Sequence, residues 1–308
     1  MATPHDGGGA PLRYSQGANW PDPDPSSSAP PAVDDVTRMN AAPVHAIFQP
    51  RCTADIKLVL ARARVAGKPV SIRGTRHSMG GHTIAAGGFV LDLMKMNGFR
   101  FNAATKTITT QPGALWANLI VELNKFGFSP RTMQSYSTFS VGGSLAVNAH
   151  GITTDFCGCE SVVRFTLIKA DSSEVACERG AEGERGELFS LALGGYGMFG
   201  VMSEIELKVS ENVHLCLDML QSDLASFPRL YDSLLEDTND DIEIKLVRLD
   251  VTNLENIDIF VFKRDTPKGM RTISKLTAAP REMSTQQQML YKWCGCCCRL
   301  LLCCRCSC

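Results

Sequence analysis

The chain has 308 residues, 44% of them hydrophobic, and its 31 Lys+Arg against 32 Asp+Glu leave a formal charge of -1. That length allows about two domains of ~150 residues with a sizeable core, while the balanced charge gives no electrostatic case for nucleic acid. No apolar run approaches the ~20 residues of a membrane span, and Met1 to Ala10 show neither the basic stretch nor the apolar core of a secretory leader.

Residues 1–41 carry Gly7-Gly8-Gly9, Ser26-Ser27-Ser28 and Pro30-Pro31, too little apolar content to offset ordering entropy, and are expected to form a disordered arm. Order is expected from His45 to Phe48, a run stopped by Pro50. Thr53 is placed to cap a helix with an apolar stripe of Ile56, Leu58, Val59, Leu60, Ala63 and Val65 that ends at Gly67. Lys68 to Ile72 reads as a strand, Gly88 to Leu93 as a buried strand, and Phe99 to Asn102 with Thr107 to Gln111 as a hairpin. Leu115 to Phe126 reads as a helix closed by Gly127, and Gly142 to Asn148 as the start of a small-residue helix. Val162 to Lys169 with Glu174 to Cys177 predicts a second hairpin, followed by a helix from Leu188 and a strand from Ser203 to Val209. Beyond Asn212 a helix from Leu224 to Leu235 and alternating strands at Ile242 to Leu249 and Ile257 to Phe262 mark the start of a second domain. Irregular alternation of this kind predicts an α+β fold.

Of the thirteen cysteines, eight crowd into Cys294 to Cys308, leaving Cys52, Cys157, Cys159, Cys177 and Cys216 in the body. That scatter suits a reduced compartment better than a disulfide framework, so a cytoplasmic location is expected. The terminal cluster has three readings: a thiol-rich metal binder, an S-acylated anchor, or a tail outside the working fold, the last being favoured. Cys157-Gly158-Cys159 alone offers too few ligands for structural zinc, so free cysteines and no metal site are expected.

Three glycine-bearing stretches carry the functional signal: Arg73 to Thr83, Ser137 to Gly151, and Gly194 to Ile205. Glycines let main-chain N–H groups approach a ligand with no Cβ in the way, which is how loops cradle phosphate oxygens. A large ligand gripped from several loops suits a dinucleotide. A Rossmann site would set G-x-G-x-x-G directly before a helix, with an acidic residue ~20 positions on. Here the loop at Gly74 leads to another strand, so a helix dipole is not its main anchor.

In these residues the chain resembles the FAD-linked oxidoreductases with the vanillyl-alcohol oxidase (PCMH) type of FAD-binding domain, which include cytokinin dehydrogenases and sugar-lactone and alditol oxidases. The resemblance covers about Ala42 to Glu211. Arg73-Gly74-Thr75-Arg76-His77-Ser78-Met79-Gly80-Gly81 looks like the family's pyrophosphate loop, and Val141-Gly142-Gly143 to His150-Gly151 and Gly197-Met198-Phe199-Gly200-Val201 look like its second and third FAD-contacting segments. The resemblance implies a two-lobed α+β FAD-binding domain over 42–211, with FAD extended between lobes of about 42–93 and 98–211. The beginning of a substrate (cap) domain over 212–288 and a Cys-rich tail over 289–308 would follow.

By the same resemblance the cofactor-binding residues are Arg73, Gly74, Thr75, Arg76, His77, Ser78, Met79, Gly80, Gly81, Ser137, Thr138, Val141, Gly142, Gly143, Asn148, His150, Gly151, Gly200 and Val201. A histidine in the place of His77 is often bonded covalently to the flavin 8α-methyl group, a reaction in which a neutral imidazole is the nucleophile. The family's second tether, a cysteine shortly before the Gly142-Gly143 pair, has no counterpart in Tyr136 to Ser140, so at most one covalent bond is expected. His82 stands where a glutamine often follows the loop. The implied reaction takes a hydride from a CH–OH donor (a sugar lactone, alditol or related alcohol) to the flavin, with oxygen or another acceptor taking the electrons onward. The catalytic base is unassigned, since no histidine lies beyond His214. A truncated or non-catalytic FAD-binding protein, and a Cys-rich metal- or membrane-associated protein, are the alternatives from other classes.

Overall fold

A computed structural model describes residues 31–152, 157–236, 242–252 and 254–264. They divide into two units, one of 31–150 with 157–211 and one of 151–152 with 212–264.

The first unit opens on β1 (Ala32–Val33) and β2 (Ala42–Pro43), which pair antiparallel, so residues 31–41 are ordered where composition suggested an arm. Val33, only 4% exposed, anchors them beside Val44 and Val90. Next come β3 (Ala46–Phe48), α1 (Thr53–Val65), β4 (Val70–Arg73) and β5 (Phe89–Asp92), the three strands forming a parallel sheet ordered β3-β5-β4. Central β5 is buried at all four residues, as a parallel strand covered on both faces must be. The helix buries Ile56, Val59, Leu60 and Ala63 at helical spacing, while Leu58 and Val65 point away at 37% and 91% exposure. Thr53 does not cap it. The N-cap position falls on Cys52 with no side-chain bond, and Asp55 instead accepts the Arg51 N–H at 2.8 Å. A carboxylate in the first turn also suits the helix dipole.

The larger sheet of the unit is built from β6 (Phe99–Asn102), β7 (Thr107–Thr110), β8 (Phe128–Pro130), β9 (Val162–Ile168), β10 (Glu174–Glu178) and β11 (Val201–Glu211). Its order is β10-β9-β11-β7-β6, with β8 pairing the far end of β11. Three helices share its core: α2 (Trp116–Asn124), α3 (Val141–Ala146) and α4 (Glu184–Ala192). Ile108, Phe165, Leu167, Ile205 and Leu207 of the sheet pack with Trp116, Leu119 and Leu123, with Val141 and Leu145, and with Phe189. Fully burying each such side chain contributes about 1.5–3 kcal/mol. Trp116 places its indole N–H 2.9 Å from Ser144 Oγ, which satisfies a buried donor and pins α2 to α3. Ile168 and Val201 belong instead to the core of the parallel sheet, so β9 and β11 join the two layers.

The second unit holds β12 (Leu215–Asp223), α5 (Phe227–Glu236), β13 (Ile242–Leu249) and β14 (Asn256–Arg264) in an antiparallel sheet ordered β12-β14-β13. Ile257, Ile259 and Val261 of the central strand pack with Phe227, Leu230 and Leu234. Strand β12 was not read from the sequence, because its apolar residues Leu217 and Met219 are 48% and 56% exposed. The Cys-rich segment lies outside the described residues. Among the described residues no helix is long and apolar enough to cross a membrane.

Candidate cofactor site

Parallel pairing of β4 and β5 opens both carboxyl ends at one edge, and the glycine loop leaves from there. Arg73 and Asp92 are register partners at this edge. The Arg73 guanidinium donates from Nε and Nη2 to Asp92 Oδ2 at 3.1 and 3.0 Å, and the other carboxylate oxygen accepts the Met94 N–H at 3.2 Å. Both side chains are only 10% exposed, so the charge of Arg73, expected on the cofactor, is used to neutralise Asp92.

After Gly74 the loop turns through Arg76 at φ 63° and Gly81 at φ 71°. The backbone N–H groups of Arg76, His77, Ser78 and Gly80 donate to no acceptor among the described residues. Gly81 differs: its N–H donates to Asp35 Oδ2 at 2.8 Å. Asp35 belongs to a turn that sequence reasoning missed. Its Oδ1 accepts from the N–H and hydroxyl of Thr37 at 3.0 and 2.6 Å, and Oδ2 also accepts from Asn40 Nδ2 at 2.8 Å. The same turn reaches the loop twice more, through the Val36 N–H to Ser78 O at 3.3 Å and Asn40 Nδ2 to Met79 O at 3.4 Å. Burial alone would raise the Asp35 pKa; bonds from Thr37, Gly81 and Asn40 outweigh it and hold the carboxyl below its ordinary 3.8. The available signal was the spacing Asp34-Asp35, Thr37, Asn40, residue types whose side chains build turns.

The second segment lies against this loop. Ser140 donates its N–H to Thr75 Oγ1 at 3.3 Å, and a Cβ on Gly74 would sit 2.1 Å from Ser140 Oγ, so any side chain at position 74 would have to displace the Ser140 hydroxyl. His77 Nε2 is 3.5 Å from Thr138 Oγ1, and its ring lies 4.4 Å from that of Phe139. The residue as a whole keeps an exposed edge, yet crowding around the ring lowers the imidazole pKa by desolvation and favours the neutral form. The segment also ends α2, whose N-cap Leu115 makes no side-chain bond: the N–H groups of Trp116 and Ala117 donate to Phe139 O and Ser137 O at 3.2 and 2.8 Å.

Val141 and Gly142 are used within the protein, their N–H groups donating to Ala114 O and Pro112 O, both at 2.9 Å. A Cβ on buried Gly142 would meet Pro112 Cβ at 2.6 Å. Gly143 is exposed, and its N–H has no acceptor among the described residues.

The third segment docks on α3 through the N–H groups of Gly194 and Tyr196, bonded to Leu145 O at 3.0 Å and Ala146 O at 2.9 Å. Gly197, at φ 78°, would carry a Cβ only 3.0 Å from Ile72 Cδ1, which ties this turn to β4. The rings of His82 and Tyr196 stand 5.3 Å apart. Asn148, at φ 45°, accepts the Cys159 N–H on Oδ1 at 3.1 Å, and exposed His150 bridges to Cys157. Gly200 and Val201 serve packing: a Cβ on Gly200 would meet Ile168 O at 2.5 Å, and Val201 is 2% exposed in the core. Gly151 falls in the second unit. Of the expected residues the structure thus gathers Gly74 to Gly80 with Ser137, Thr138 and Val141 to Gly143, and beside them it sets Gly194 to Gly197, none of them among the expected cofactor-binding residues. The side chain of Arg73, the N–H groups of Gly81, Val141 and Gly142, and the side chain of Val201 already have partners in the protein. Among the described residues no group of three or more metal-ligating side chains occurs.

The donors left over in this cradle match an extended anion flanked by an aromatic and an imidazole wall, the chemistry of a dinucleotide pyrophosphate. A model of the FAD binding domain family matches residues 44–178. Cytokinin dehydrogenase 9 of Oryza sativa subsp. japonica is 27% identical over 225 residues, 69% of this chain and 43% of that protein. Cytokinin dehydrogenase 1 of Arabidopsis thaliana is 27% identical over 235 residues, covering 68% and 39%. L-gulonolactone oxidase of Mus musculus is 29% identical over 171 residues, covering 54% and 38%. The chain spans about two fifths of the length of these curated relatives.

Proposed function

We propose an FAD-dependent oxidoreductase that holds the cofactor against residues 74–80, 137–140, Gly143 and 194–197, a reading supported by the match of residues 44–178 to the FAD binding domain family. The observation that carries this reading is the set of N–H groups at Arg76, His77, Ser78 and Gly80 with no acceptor among the described residues. Bound there, FAD supplies a two-electron acceptor for a hydride. The loop N–H groups and the hydroxyls of Thr75 and Ser78 bind the pyrophosphate. Phe139 packs against the His77 ring and fixes its direction, and desolvation keeps its lone pair available. That state is the one a covalent bond to the flavin 8α-methyl carbon needs, so His77 is the tether in this proposal. Residues 42–211 form the FAD-binding domain in this reading, and 212–288 the beginning of the substrate domain. A cytoplasmic location is part of it, in keeping with the free thiols of Cys52, Cys157, Cys159, Cys177 and Cys216.

For the donor we propose a CH–OH compound of the lactone or alditol class, with oxygen or another acceptor downstream; the L-gulonolactone oxidase relative supports it. The cytokinin dehydrogenase relatives support a second reading, with a cytokinin as donor. Anaerobic bleaching of the flavin by L-gulonolactone favours the first and bleaching by a cytokinin the second. The cofactor assignment has its own test: purified protein, denatured and run on a gel, should retain flavin fluorescence. The His77→Ala variant should lose that fluorescence while still releasing FAD on acid precipitation. Fluorescence that persists in the variant removes His77 as the tether.

A further inference from the structure

We propose that Cys157 and Cys159 are a redox-active dithiol that closes into an intrachain disulfide by exchange with a small-molecule disulfide. Their sulfurs already lie 3.1 Å apart. Residues two apart span at most ~7 Å, inside the range a disulfide bridges, and bond formation asks for an approach of about 1 Å. Both residues are partly exposed, whereas Cys52 and Cys177 are 4% and 0% exposed in the core. Gly158 holds the turn between them: its N–H donates to Ala149 O at 2.8 Å, and a Cβ there would press on the same oxygen at 3.0 Å.

Burial first, then the hydrogen bond and charge of Cys157, push the Cys159 thiol up to about 11, against the pull of the Arg179 cation. In the proposed exchange Cys157 is taken as the attacking sulfur. Its thiolate displaces one glutathione from oxidised glutathione and forms a mixed disulfide. Cys159, giving its proton to solvent, then attacks the Cys157 sulfur and expels the second glutathione. Two cysteine thiols are oxidised by two electrons, one glutathione disulfide is reduced to two thiols, and the two cysteine protons end on those thiols. The pair is attached to the site described above, because the Cys159 N–H holds Asn148 Oδ1 at 3.1 Å and Cys157 bridges to His150. Closing the disulfide bears on the bend at Asn148.

Trypsin isolates the pair, since residues 132–164 lie between Arg131 and Arg164 and contain these two cysteines and no other. The full chain is equilibrated in glutathione buffers of increasing oxidised fraction, quenched in acid, alkylated and digested. The expected result is passage of this peptide from a doubly alkylated form to one lacking two hydrogens and carrying no glutathione, at buffers where exposed Cys216 acquires glutathione. In the Cys159→Ser chain the peptide should stop at a glutathione adduct on Cys157. A peptide that stays doubly alkylated while Cys216 is modified, that carries glutathione in the unsubstituted chain at equilibrium, or that is joined to another cysteine peptide overturns the proposal. So does a Cys159→Ser peptide that takes up no glutathione.

Discussion

Two glycine runs in the first unit promise the same thing in sequence and do different things in the fold. In the loop from Gly74 to Gly81, glycine admits Ser140 at one end, and most of the N–H groups between have no partner among the described residues. In the run Val141-Gly142-Gly143, the first two N–H groups are bonded to Ala114 and Pro112, and Gly142 exists to let α3 lie against Pro112. Glycine marks close approach in both places; whether a ligand or the protein does the approaching depends on acceptors elsewhere in the chain. In the proposed function the loop is the binding surface and the helix start is the wall that supports it.

The contrast breaks first at Gly142. A Cβ there would stand 2.6 Å from Pro112 Cβ and 3.0 Å from Pro112 Cα and O, atoms with no freedom to move aside. Gly142→Ala is expected to cost about 3 kcal/mol in urea unfolding, at the upper end for overpacking, with FAD bound per folded molecule unchanged. A variant of normal stability with weakened FAD binding would show that Gly142 faces the cofactor after all.

Asp35 tests how far the loop depends on its support. Asp35→Asn removes the charge that the Thr37, Asn40 and Gly81 bonds stabilise, and is expected to cost about 2 kcal/mol, the scale of hydrogen bonds to an ionised group. It should also loosen FAD, because Gly81 is released. The pH dependence has a definite sign. The folded carboxyl titrates below the ordinary 3.8, so between the two values the unfolded chain binds more protons and stability rises with pH. The contribution is complete above the ordinary value and is lost as pH falls through the folded one. Acid denaturation of the variant should lack this part of the profile; an unchanged acid limb would sink the clamp.

What could be read beforehand divides along similar lines. Strands such as Ile257 to Phe262 and the hairpin at Phe99 announce themselves by alternation, a local property. The ordering of residues 31–41 does not, because it rests on one buried valine and on carboxylate bonds to a loop 46 positions away. Strand β12 escaped for the opposite reason: Leu217 and Met219 are exposed, so burial could not guide the reading. At the site, glycine positions located the three segments, and the resemblance they carry led to FAD, the cofactor that the matched domain family binds. Sequence could not say which donors were already taken, because Pro112, Ala114 and Asp35 are brought to them only by folding.

The smallest expected effect on stability is the sharpest on binding. At Gly80 an added Cβ would meet only the His82 imidazole, 2.6 Å from Cε1, and that ring is the far end of an exposed side chain able to swing away. No positive φ penalises alanine at this position. Gly80→Ala should therefore change unfolding by less than about 0.5 kcal/mol, as exposed substitutions do. The methyl group would nevertheless stand beside an N–H that has no acceptor within the described protein, where the proposed function places the pyrophosphate. In apoprotein also carrying His77→Ala, so that no covalent bond masks the equilibrium, FAD titration followed by fluorescence quenching should show weaker binding than in His77→Ala alone. Equal affinity with equal stability would mean that the loop's N–H groups face solvent rather than cofactor, and the distinction between the two glycine runs would fall.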